Sequence, residues 1–133
     1  ALCWQDPPDE TGRNRDDAAS YCADLVLGGL DDWRLPTIGE LRSLLRECPK
    51  TWPGGPCGIV DDCLERDCYT DECFGCVGVD PGADGTFLPS ALHGLRVDHW
   101  RDYWSSSMRT DLVTGSWTVE FVFVRVDNYH GEA

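Results

Sequence analysis

A chain of 133 residues, 41% hydrophobic and carrying six Trp, four Tyr and four Phe, holds enough apolar mass for one globular domain and does not read as disordered. Its 24 Asp and Glu against 11 Lys and Arg give a formal charge of −13, which repels phosphate backbones and anionic surfaces. Nucleic acid and lipid headgroups are therefore argued against as partners, and neutral or cationic ones are expected. No apolar run reaches the length of a membrane span, and the start does not read as a signal peptide. The expectation is that Ala1 follows a removed signal or that the chain is a piece of a longer one.

In chain order, Leu2-Cys3-Trp4-Gln5 predicts a short edge strand, stopped by Pro7-Pro8. From Arg15 to Leu27, Ala18, Cys22, Leu25 and Val26 recur at helical spacing, with Asp16 and Asp17 in the first turn and Gly28-Gly29 at the end. Thr37-Ile38-Gly39-Glu40 after Pro36 is a capping box, and Leu41, Leu44, Leu45 and Cys48 then line one face of a second amphipathic helix.

Residues 49–90 form an irregular insert, rich in Gly, Pro and Asp. Between 61 and 84 it holds eight carboxylates against the single Arg66. Six of the eight cysteines (Cys48, Cys57, Cys63, Cys68, Cys73 and Cys76) lie in or beside it. A structureless loop of this length is unusual in a compact domain, so cross-links are expected to hold it. Zinc would need repeated close pairs, and only Cys73-Phe-Gly-Cys76 has that spacing. The same pair is not followed by a helix, which argues against a redox motif. Disulfides, and with them a secreted or surface location, are the expectation.

Beyond the insert, Tyr103-Trp104-Ser105-Ser106-Ser107 predicts a strand with Trp104 and Ser106 on one face and Tyr103, Ser105 and Ser107 on the other. Thr114-Gly115 marks a turn. Alternation from Trp117 to Val124 then predicts one long strand. Helices followed by antiparallel strands make an α+β domain rather than a βαβ repeat.

The segment Leu27-Gly28-Gly29-Leu30-Asp31-Asp32-Trp33-Arg34-Leu35-Pro36-Thr37-Ile38-Gly39-Glu40-Leu41 resembles the signature of the C-terminal domain family named after the Legionella collagen-like adhesin. Trp4-Gln5-Asp6, Ala18-Ala19-Ser20-Tyr21-Cys22 and Tyr103-Trp104-Ser105-Ser106-Ser107 support it in the family's order. The resemblance implies a C-type-lectin-like fold, related to that of the formylglycine-generating enzymes, on extracellular bacterial proteins whose founding adhesin binds sulfated glycans. Two departures follow. The −13 charge makes sulfated glycan a poor ligand here. The family's closing Arg-Cys-x-Arg-like run is missing, so Cys3 is left as the expected partner of Cys22.

Candidate sites carry a plainer account beside each. In Trp33-Arg34-Leu35-Pro36 the plain account is core packing, with Arg34 tied to a carboxylate such as Asp31 or Asp32. Asp80 and Asp84 are candidate calcium ligands in Asp80-Pro81-Gly82-Ala83-Asp84-Gly85, against a solvated acidic turn. The three serines lack a nucleophile elbow, and no cysteine arrangement matches the oxidising relatives, so no enzyme activity is expected. The resemblance places a binding surface at the loops around His99, Trp100, Asp102, Arg109 and Asp111, where an indole would stack on a sugar; Trp100 capping the core is the alternative. Asn128, Tyr129 and His130 either extend that surface or fray. The expected function is non-catalytic recognition of a glycan or surface protein. The alternative is a structural subunit of an extracellular fibre or homo-oligomer.

Overall fold

The computed structural model describes residues 2–6, 11–76, 87–89, 92, 102–112, 114–121 and 124–129. Its elements run α1 (Arg15–Asp24), α2 (Ile38–Arg42), two 3-10 turns (Arg66–Cys68 and Asp71–Cys73), β1 (Asp102–Met108), β2 (Ser116–Glu120) and β3 (Arg125–Tyr129). The class is α+β, as expected, with two helices, one antiparallel sheet and three disulfides.

Asn14 opens α1, its side chain accepting from the Asp17 N–H at 2.8 Å. The helix ends at Asp24, short of the expected Leu27. The chain instead makes a hairpin turn in which Leu27 and Leu30 exchange backbone bonds of 3.0 and 3.1 Å. Gly28 and Gly29 both stand at positive φ (63° and 79°), which this type of turn requires at both central positions. The Trp33 indole N–H donates to the Leu27 and Leu30 carbonyls, bracing the turn. No residue of α1 is fully buried; Ala18, Tyr21 and Cys22 are half-buried on the side facing β1.

The N-terminus of α2 satisfies every free donor that a helix start leaves open. Glu40 N–H donates to Thr37 Oγ1 and Thr37 N–H to Glu40 Oε1, completing the expected capping box. Ile38 N–H donates to Ser107 Oγ on β1 at 2.9 Å, and Gly39 N–H to Asp61 Oδ1 in the insert at 2.9 Å. Thr37 Oγ1 also reaches Asp61 Oδ2 at 3.0 Å. One short helix thus ties the sheet to the insert. The helix ends at Arg42, short of the face expected to run on to Cys48: Leu41 is buried within it, Leu45 and Cys48 are buried beyond it, and Leu44 is only half-buried.

Three nested disulfides staple the insert: Cys48–Cys76 outermost, Cys57–Cys73 within it and Cys63–Cys68 innermost. Cys48, Cys57, Cys73 and Cys76 are buried in the same cluster as Ile38, Leu45, Ile59, Trp117 and Val126. Among the described residues the insert has no separate core; it completes the main one. Arg42, fully buried, donates from Nε to Thr51 O at 2.7 Å, from Nη2 to Trp52 O at 2.7 Å and from Nη1 to Ile59 O. Tyr69 stacks on Trp117 with ring centres 6.3 Å apart, and the Trp117 N–H donates to Leu64 O. A Cβ at Gly58 would collide with the Cys68 carbonyl, so only glycine fits there.

The sheet order is β1-β2-β3. Three expectations are corrected here. Leu2–Gln5 forms no strand; the Gln5 amide is held instead by the Tyr21 hydroxyl at 3.1 Å. The register slips between Trp104 and Met108, so Trp104 and Ser105 are both buried and strict alternation fails. The long strand expected over 117–124 stops at Glu120, turns through Phe121 and Val124 (φ 57°) and returns as β3. A closing strand therefore exists, but its Arg125 is followed by the buried Val126, so it offers no thiol to α1.

Candidate functional site

Between the N-terminal arm, α1, the Trp33–Pro36 segment and the near end of the sheet lies a groove of about 990 Å³. The arm brings Trp4, α1 brings Tyr21, the turn brings Trp33, and the sheet brings Tyr103, Trp104 and Tyr129. These rings are placed by local causes. Trp104 is aimed by its indole N–H, which donates to Arg13 O at 2.8 Å. Tyr129 lies edge-on to Trp104 with centres 6.3 Å apart. Tyr103 meets Phe121 in the same way at 5.7 Å.

Both arginines of the groove are engaged, while Asp32 stands exposed at its rim. Arg34 grips Glu40 with two hydrogen bonds of 2.8 and 2.9 Å, and this contact holds the Glu40 carboxyl down at about 2. Arg34 is tied to a carboxylate, as expected, but that of the capping Glu40 rather than Asp31 or Asp32. Arg13 lies 4.1 Å above the Tyr21 ring. Asp102 sits at the sheet end of the groove, where burial pushes its carboxyl up while Arg125 at 3.7 Å acts the other way. Thr118 Oγ1 donates to it at 3.3 Å.

Trp33 and Leu35 are half-buried at the groove, not core residues as expected. The expected binding set is not brought together among its described members. Asp102 opens β1, whereas Arg109 and Asp111 lie past its far end, roughly 20 Å away at the rise of a strand. Arg109 and Asp111 clasp each other at 2.7 and 2.9 Å, and Asp111 also accepts from Arg66 N–H at 3.3 Å. That clamp fastens a loop to the insert. His99, Trp100, Asp80, Asp84 and His130 lie outside the described residues. Among the described residues no group of three or more His, Cys, Asp or Glu could hold a metal ion.

The expected Cys3–Cys22 bond is not formed in this structure: both thiols are free and both line the groove. The arm is held by Gln5 on Tyr21 and the Arg13 region by Trp104, so the arm is seated without a covalent link. Burial pushes the Cys22 thiol up, with Arg13 opposing.

Sequence reasoning missed the groove because it read Trp33 as a core residue and gave Trp4 and Tyr21 no site role. The available signal was their polar surroundings, Gln5-Asp6, Ala19-Ser20 and Asp31-Asp32, where a core ring would have aliphatic neighbours.

The family model of the Lcl C-terminal domain matches residues 1–132, and the chain belongs to that family. No curated protein matches the chain, and no solved structure does. Family membership and three disulfides together point to an extracytoplasmic, adhesin-associated domain.

Proposed function

We propose, from membership of the Lcl C-terminal domain family and the groove just described, that this is a non-catalytic, adhesin-type recognition domain with a C-type-lectin-like fold, and that the groove binds a carbohydrate. The carrying observation is the gathering of Trp4, Tyr21, Trp33, Tyr103 and Tyr129, all half-buried, around one open space. A sugar presents an apolar face that stacks on such rings and an edge of hydroxyls that needs polar partners. Gln5 of the arm and Asp102 of the sheet line the groove as such partners.

The test is saccharide binding by calorimetry for the intact protein and Trp4→Ala. Loss of one stacking ring is expected to weaken binding about tenfold. Tryptophan fluorescence of the unmutated protein should shift on saturation, which keeps the test decisive if the variant folds poorly. Equal affinity in a folded variant, or an unshifted spectrum at saturation, removes the groove from the reading.

One observation favours the alternative of a structural subunit. Val26, Leu27 and Leu30 are 72%, 42% and 42% exposed on the braced glycine turn, a rigid aliphatic knuckle suited to contact between copies. Concentration-dependent sedimentation, abolished by Leu27→Ser with Leu30→Ser, would favour that reading; a monomer at all concentrations would discard it.

A further inference from the structure

We infer that the saccharide this groove takes carries protonated amino groups, an oligomer of deacetylated hexosamine, rather than a neutral or sulfated sugar; the inference rests on the carbohydrate reading above. Among the described residues the groove is lined by four carboxylates, Asp6, Asp32, Glu40 and Asp102, and two guanidinium groups, Arg13 and Arg34. Both cations are already engaged, Arg34 with both oxygens of Glu40 and Arg13 over Tyr21, as are two of the carboxylates, Glu40 with Arg34 and Asp102 with Arg125 and Thr118. A sulfate or uronate entering here would compete for those guanidinium groups while facing the exposed carboxylate of Asp32.

An ammonium meets the opposite situation. Asp32 is exposed at the rim beside Trp33, and among the described residues it makes no ion pair. The rings of the groove already accept a cation: the Arg13 guanidinium at 4.1 Å from the Tyr21 centre is the geometry an amino sugar would reproduce on Trp33. The field of the whole molecule, at −13, draws cations toward the site and turns anions away. Stacking, carboxylate pairing and long-range attraction thus select the same ligand class.

The experiment compares three tetrasaccharides on the oxidised, full-length chain by calorimetry: glucosamine, its N-acetylated counterpart and a heparin fragment. The glucosamine tetramer is expected to bind about tenfold tighter than the N-acetylated one. That preference should shrink as salt rises beyond ~0.15 M, where charges more than about 8 Å apart are screened. Asp32→Asn, an exposed change, should weaken glucosamine binding several-fold and leave the N-acetylated sugar unaffected. Equal or tighter binding of the N-acetylated sugar overturns the amine assignment while the carbohydrate reading survives. Tightest binding of heparin overturns the charge argument. Binding of none of the three removes the carbohydrate reading itself, and this inference with it.

Discussion

Arg42 shows how much can rest on one side chain. Its guanidinium is inside the protein and feeds three backbone carbonyls of the insert; among the described residues those of Thr51 and Ile59 have no other donor, while that of Trp52 also accepts from Gly55 N–H. Burial holds its pKa below the ordinary arginine value, with Asp61 nearby acting against that. Replacing it with Met is expected to cost about 3–5 kcal/mol, since a buried polar network loses one side only. Arg42→Lys should recover little, because an ammonium cannot span three separated carbonyls. Urea midpoints of the two variants check this; a Lys variant as stable as the parent would contradict the network. The sequence held a hint, for Arg42 follows Ile38 by four and so shares the face of Leu41 and Leu45. Helical spacing can put an arginine on an apolar face, but it cannot say which carbonyls wait there.

At the scale of elements, α2 was legible because its start is chemical: Thr37 and Glu40 announce a cap whatever surrounds them. The Glu40 carboxyl falls from the ordinary 4.5 to about 2, chiefly through its hydrogen bond to Arg34, with the Thr37 contacts assisting. A folded-state value below the unfolded one means that this stabilisation is complete above pH 4.5 and is lost as the pH falls through about 2. Acid titration of thermal stability should therefore be flatter over that window in Glu40→Gln. An acid limb identical to the parent's would show that the cap and its arginine contribute nothing. The strands were less legible. Alternation ran on through Phe121 and Val124 because both are buried, yet the chain reverses there, and apolar residues in a turn give no warning. The slip in β1 likewise turns on where Ser116 of β2 finds its partner, Met108, which is no property of β1 alone.

For the whole molecule, the nested bonds make an insert that melts with the core rather than apart from it. The outermost bond spans 28 residues and the innermost 5, so loop-closure entropy alone assigns about 3.6 and about 2 kcal/mol to them. Opening Cys57–Cys73 by paired Ser substitution should lower the midpoint of one cooperative transition, since both sulfurs lie in the main cluster. A second, earlier transition by circular dichroism would instead mark an independent subdomain. Removing Cys63–Cys68, which is only half-buried, should shift the same transition less.

Cysteine spacing, the capping box and the order of apolar periods settle the class, the cross-linking of the insert and where the helices begin without any structure, because each is a local preference or a count. The groove depends on something else. Trp4, Tyr21, Trp33 and Tyr129 come from four distant parts of the chain, and they meet because the Gln5–Tyr21 contact, the braced glycine turn and β3 converge. Whether a ring fills the core or faces an opening depends on which long-range neighbours reach it. That is decided only when the tertiary contacts close.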